Sequence, residues 1–390
     1  MEKLTVYTSV TLAYLAKARV LARSVKQHNP DTQFYLVLCE PPPEWLVASM
    51  TTGDEPFDYL VTPDDLGIAS AWLFQHDVVE ACTSVKATAL AYLQSLTNSA
   101  VIYLDPDTVV FRSLRDISDL LADHSIVLTP HCPNAETDVD AIALNEISCL
   151  AHGVYNLGFY AVSADPTGRE FANWWKLRLQ HFCHDDIPRG LFTDQRWIDL
   201  VPAQFERVKI LREPQYNVAS WNLTQRQLSG GVPNELQVNG KPLCFYHFSG
   251  INLNIPEQMA RRLRIEVSAV HQLIAWYRER CDEQGEANLS RSRWYYANYD
   301  DGTPITRAQR IYYRQNAEIQ RKYPTPFATG ENSYLEFLRS RGLDEIELEF
   351  SGSRESLHLA ANRLRALEST WQYRAYLKVR KFSRLLSARR

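Results

Sequence analysis

The chain has 390 residues, room for two or three domains. At 45% hydrophobic and 23% charged it has the composition of a globular protein, and a net charge of −4 argues against a nucleic-acid partner. Its seven cysteines are scattered with no Cys-x-x-Cys pair, so neither a zinc site nor a disulfide framework is expected, and a reducing cytoplasmic compartment is. No apolar run reaches about 18 residues, so no membrane span is expected. The opening residues Met-Glu-Lys-Leu-Thr-Val-Tyr read as the start of a strand and not as an export signal.

Residues 4–8 are the first expected strand. Residues 12–28 follow as a helix, with Leu12, Leu15, Ala16, Val20 and Leu21 at helical spacing. Asn29-Pro30-Asp31 breaks it, and residues 34–39 read as a second buried strand. This strand-helix-strand opening is that of a nucleotide-binding half-sheet, although the first turn lacks Gly-x-Gly-x-x-Gly. Residues 57–61 form a third strand, and a helix runs from Asp77 to about Leu96.

Val101-Ile102-Tyr103-Leu104 is a short apolar run, the pattern of a strand buried on both faces, and it ends in Asp105-Pro106-Asp107. Pro106 lacks an N–H and suits a strand end. Acids two apart at a strand end point the same way. Two convergent carboxylates are costly unless a cation lies between them. A hard divalent ion that keeps some waters and takes diphosphate oxygens fits that place, while a solvated Asp-Pro turn is the plain alternative. A return to helix is expected over 109–121, and a strand over 125–129. Residues 132–145 are polar and acidic, as in a loop or lid.

Three later segments stand out. Tyr155-Asn156-Leu157-Gly158 enters a strand, and Gly158 would permit close backbone approach. Thr193-Asp194-Gln195 follows an aromatic-rich helix over 169–182, with Thr193 read as a helix N-cap if the segment has no chemistry. An apolar strand ends in His247-Phe248-Ser249-Gly250.

In this order the motifs resemble the nucleotide-sugar glycosyltransferases of the GT-A fold, and most of all glycosyltransferase family 8 and related bacterial enzymes. Their strands also end in Tyr-Leu-Asp-x-Asp, and they carry Asn-x-Gly, Asp-Gln and a late His-x-x-Gly. The resemblance spans roughly the first 255 residues. It implies that Asp105, Asp107 and His247 hold Mn²⁺ or Mg²⁺. It also implies that Lys86 reaches the donor, and that Asn156, Asp194 and Gln195 line the reacting sugar. The turn from Thr8 to Tyr14 would face the nucleotide, with Tyr14 placed to stack on a base or to serve in packing. Lys86 reads equally as a solvated helix lysine. Tyr216-Asn217 and Trp221-Asn222 add amide and aromatic groups suited to sugar contact.

After Pro256 the composition changes. Helices are expected over 257–283, 333–341 and 354–367, with a turn at Asp300-Asp301-Gly302. Residues 371–390 carry seven Lys or Arg and no acid, with interleaved apolar residues, which suits an anionic membrane surface as well as a solvated terminus.

The expectation is an α/β chain. Residues 1–255 would be a GT-A-like domain with a mixed, mainly parallel sheet flanked by helices. Residues 256–390 would be a helical region with a basic amphipathic tail. The activity implied by the resemblance is metal-dependent transfer of a sugar from a UDP- or GDP-linked donor to a glycan or lipid-linked glycan, with retention. It would act in the cytoplasm, with peripheral contact at the inner face of the membrane. Asp194 could instead serve as the base of an inverting displacement. A nucleotidyltransferase would want a Gly-rich, basic loop after the first strand, and residues 8–14 hold no Gly, Arg or Lys. A non-catalytic sugar-binding module has no need of the acids together with His247.

Overall fold

A computed structural model of the protein describes residues 4–251 and 268–343. The expected boundary at 255, the helix over 354–367 and the basic tail lie outside those residues. The described residues group into two units, one of 4–73 with 78–297, the other of 74–77 with 298–343.

In chain order the strands of the first unit are β1 Thr5–Val10, β2 Gln33–Leu38, β3 Tyr59–Val61, β4 Val101–Leu104, β5 Thr108–Val110, β6 Ile126–Pro130, β7 Tyr155–Val162, β8 Asp185–Asp186, β9 Leu191–Phe192, β10 Val208–Ile210, β11 Leu228–Ser229, β12 Gln237–Val238, β13 Lys241–Pro242 and β14 Phe245–His247. Seven of them make one sheet in the order β10-β6-β7-β4-β1-β2-β3. β7 is antiparallel to β4 and β6, and every other pairing is parallel. This is the mixed, mainly parallel sheet flanked by helices that the sequence predicts.

The sheet is buried on both faces because its central strands are mostly apolar and bury nearly every position, and alternate side chains enter two cores. Val6, Phe34, Leu36, Ile102 and Leu104 pack against the helix Leu15–His28. Tyr7, Tyr35, Val101, Tyr103 and Tyr160 pack against the helices Val78–Thr97 and Pro166–Phe182. The first of these two helices buries Ala81, Val85, Ala89 and Leu93, a stripe at four-residue spacing. Asp165 caps the second, its Oδ1 accepting from Gly168 N at 2.7 Å. Since β1 and β4 run parallel, their carboxyl ends share one edge of the sheet, where open α/β sheets bind ligands.

Two local expectations fail. The helix expected over 109–121 begins only at Arg115, and Thr108–Val110 is strand β5, paired antiparallel with β14. Thr-Val-Val is β-branched, and its partner lies more than a hundred residues away, beyond the reach of local pattern. The loop expected over 132–145 is helical from Val139, passing through a π-helical turn at Ile142–Glu146 into the helix Ile147–His152. Asp138 starts it, its carboxylate accepting from the backbone N–H groups of Asp140 and Ala141.

The second unit is helical over Arg307–Gln315, Ala317–Lys322 and Tyr334–Ser340. Phe74 lies in its aromatic core, edge-on to Tyr313, Phe327 and Tyr334. Among the described residues no helix is long and apolar enough to cross a membrane.

Candidate metal centre and active site

Residues 105–108 form the turn that carries the acid pair. Asp105 N donates to Gly158 O of β7 at 2.8 Å, and Thr108 N donates back to Asp105 O at 3.0 Å. The chain then enters β5, whose register with β14 sets Thr108 opposite His247. Phe248 N donates to Asp107 O at 2.8 Å and locks the crossing. His247 therefore arrives through a separate two-stranded ladder and not as a strand end of the main sheet. Its Nε2 lies 3.1 Å from Asp107 Oδ1 and 3.6 Å from Asp105 Oδ2. One ligand atom from each of the three residues falls within 4.8 Å of the others.

Burial opposes protonation of His247, yet Asp107 and then Asp105 outweigh it, so its pKa is raised. Burial likewise opposes ionisation of Asp107, and His247 with Lys17 outweighs that, so its pKa is lowered. Each partner thus favours the charged form of the other. Two carboxylate oxygens and an imidazole nitrogen are also a donor set for a divalent ion.

Gly158 shapes the cradle. A Cβ there would stand 2.3 Å from His247 Cε1 and 2.8 Å from Asn156 Oδ1, so only glycine lets β7 pass beneath the imidazole. Trp221 meets the His247 ring edge-on at 5.3 Å. His247 Nδ1 is buried with no hydrogen-bond partner among the described residues.

Lys86 is not a solvated helix lysine. It is 3% exposed, with Nζ 3.3 Å from Asp105 Oδ1 and 3.1 Å from Asp194 Oδ2, and it donates to Leu157 O at 3.1 Å. It thus ties Asp194 to the acid pair. Asp194 is 2% exposed; burial raises its pKa against the pull of Lys86. Thr193 is not an N-cap: it has a φ of 45°, and its hydroxyl donates to Asp194 Oδ1 at 3.0 Å. Gln195 braces the backbone, accepting from Leu157 N and donating to His152 O.

Asn156 Oδ1 accepts from Gly158 N and from Asn217 Nδ2, and its Nδ2 lies 3.1 Å from His131 Nε2. Burial holds the His131 pKa down to about 4, so the ring is neutral and its Nε2 accepts. Thr8 is fully buried, and its hydroxyl finds no partner among the described residues. Tyr14 is 43% exposed beside the acid pair, with Lys17 Nζ 4.1 Å from its ring centroid. Burial and then the charge of Asp107 push its phenol up to about 12.

The structure therefore joins Asp105, Asp107, His247, Lys86, Asp194, Asn156 and Gly158 in one network. His131, Lys17 and the hydroxyl of Tyr103 belong to the same surroundings and carry no sequence signal, since a single His or Tyr on a buried segment reads as core and a single helix Lys as solvated.

No family model matches the chain. It is similar to two proteins of Bacillus subtilis (strain 168), both described as uncharacterized. YfnF is 28% identical over 207 residues, which cover 50% of this chain and 66% of YfnF, so the chain spans about two thirds of that relative's length. YfnD is 24% identical over 253 residues, covering 63% of this chain and 77% of YfnD. Among solved structures, the galactosyltransferase LgtC in complex with donor and acceptor sugar analogues overlaps with a TM-score of 0.40 at 16% identity, covering 66% of this chain and 95% of LgtC. The glycosyltransferase GlyE of Streptococcus pneumoniae gives 0.43 at 16% identity, covering 75% of this chain and 66% of GlyE. Overlaps at this level carry no inference about activity.

Proposed function

We propose that the protein is a divalent-metal-dependent glycosyltransferase that moves a sugar from a UDP- or GDP-linked donor to a hydroxyl of a glycan or lipid-linked glycan. The observation that carries this reading is the meeting of Asp105, Asp107 and His247 at the carboxyl edge of a mainly parallel sheet. Mn²⁺ or Mg²⁺ held there would neutralise the charge that develops on a leaving diphosphate.

The chain's own residues have separate tasks in this reading. Asp105, Asp107 and His247 bind the cation. Lys86 holds Asp105 and Asp194 in fixed relation and adds a buried positive charge near the leaving group. Asn156 and Asp194 orient sugar and acceptor hydroxyls, and Gln195 keeps the adjoining backbone in place. Tyr14 faces the nucleotide, while Thr8 is buried in the strand that leads to it. Asp194 is engaged by Lys86 and Thr193, which speaks against a free general base and favours retention over inversion. The proposed setting is bacterial surface glycan or glycolipid synthesis in the cytoplasm, with the basic tail on the inner face of the membrane.

Equilibrium dialysis of UDP and GDP with and without Mn²⁺ tests the reading. One of them should bind only with metal, and Asp107→Ala should abolish that binding while the melting curve stays cooperative. Equal nucleotide binding in excess chelator would refute the metal-dependent reading.

A further inference from the structure

Asp105 has two carboxylate oxygens, and the structure treats them differently. Oδ1 accepts a hydrogen bond of 2.6 Å from the hydroxyl of Tyr103 and lies 3.3 Å from Lys86 Nζ. Oδ2 faces His247 Nε2 at 3.6 Å. We infer that Tyr103 is a positioning residue whose hydroxyl fixes Asp105 Oδ1 and leaves Oδ2 as the single oxygen this carboxylate offers to a divalent cation. The inference rests on the proposed metal centre.

The sequence makes this arrangement available. Tyr103 and Asp105 are two residues apart at the end of β4, so they point to the same side. That side is the core beneath the helix Val78–Thr97, which also brings Lys86. A hydroxyl donating to a carboxylate at this distance is a charge-assisted bond, among the stronger kinds in proteins.

Tyr103 is itself held on every side. Its ring stacks on Tyr160 at 4.9 Å with a 9° interplanar angle and meets Tyr7 edge-on at 4.9 Å. Lys86 Nζ sits 4.3 Å from its centroid, and Ser9 Oγ lies 3.1 Å from its hydroxyl. The neighbouring hydroxyls are committed elsewhere: Tyr7 bonds to Lys86 O at 2.7 Å, and Tyr160 bonds to Tyr7. Tyr103 is thus the member of this stack whose hydroxyl bonds to the acid pair.

A carboxylate with one oxygen tied down binds a cation through the other in a set direction. Released, it is free to rotate or to chelate with both oxygens, and the match to Asp107 and His247 is lost. Partners of this kind typically change metal affinity by about 10–100-fold.

The test is a titration of Mn²⁺ alone, followed by electron paramagnetic resonance of the free ion, on wild type, Tyr103→Phe, Tyr160→Phe and Asp107→Ala. Tyr103→Phe keeps the ring and its stacking, and should raise the dissociation constant about 10–100-fold. Tyr160→Phe removes a hydroxyl from the same stack and should leave the constant unchanged while lowering the melting temperature. Should Tyr103→Phe melt near the working temperature, the comparison is run in the cold on material shown to be folded by circular dichroism. Wild-type affinity in Tyr103→Phe, with Asp107→Ala unable to bind, would overturn the role of Tyr103 and leave the metal centre standing. Equal losses in both Tyr variants would overturn it as well, by marking the effect as general loosening of the stack. Absence of Mn²⁺ binding by wild type would refute the metal centre itself, and the inference with it.

Discussion

An added Cβ at position 158 has nowhere to go, because the imidazole of His247 occupies the space at 2.3 Å. Gly158→Ala should displace the ring, cost about 1–3 kcal/mol from overpacking, and reduce turnover about 10²-fold through misplacement of a ligand. A melting curve beside an Mn²⁺ activation curve checks both, and an unmoved metal midpoint would separate His247 from the metal. His247→Ala should raise the midpoint and His247→Asn should recover part of the loss, because an amide oxygen still ligates. The raised pKa of His247 gives a pH signature. In the metal-free protein its stabilising contribution is full below the unfolded value near 6.5 and is lost as pH rises through the folded value. A cation must displace that proton, so metal affinity should rise over the same interval. Thermal shifts with and without Mn²⁺, scanned from about pH 6 to about pH 9, should therefore widen with pH. A constant difference would contradict the pairing of His247 with Asp107.

The helix Val78–Thr97 joins the end of β4 to the turn that bears Asp194, and Lys86 is the link. Lys86→Met would leave Asp194 buried without its counter-charge and should destabilise the protein by about 3–5 kcal/mol. Denaturant unfolding measures this, and a loss under about 1 kcal/mol would show that Asp194 takes up a proton or another partner instead. Much at this scale was legible in the sequence. Strands β2 and β4 announce themselves as apolar runs, and the acids at the end of β4 are explained by period two. What was hidden depends on distant pairing. β5 is three residues long and owes its existence to β14, so residues 109–121 read as helix. Residues 132–145 read as loop because their polar side chains mask the cap at Asp138. His247 was singled out by its place after the last apolar strand, but the register that sets it against Thr108 has no local signal. His131 has none either, since one neutral histidine looks like any other until Asn156 is found beside it.

At the scale of the whole molecule, the first unit contains every residue of the candidate site, and the second has its own aromatic core around Phe74. Binding of a cation to the folded state alone should stabilise the protein by about 2.7 kcal/mol at a hundred times its dissociation constant. Deletion of residues 371–390 removes seven positive charges. It should weaken sedimentation with anionic vesicles at low salt and spare hydrolysis of soluble donor. Equal vesicle binding by the full chain and the truncated one would dismiss the tail as a membrane contact. The proposed activity is metal-dependent sugar transfer built on Asp105, Asp107 and His247. Its most direct test is release of free sugar from a panel of UDP- and GDP-linked sugars by wild type and Asp107→Ala, in Mn²⁺ and in excess chelator. At least one donor should be hydrolysed by wild type in Mn²⁺, with no release in chelator and none by Asp107→Ala. Undiminished release in chelator, or by Asp107→Ala, would contradict a metal held by these three residues.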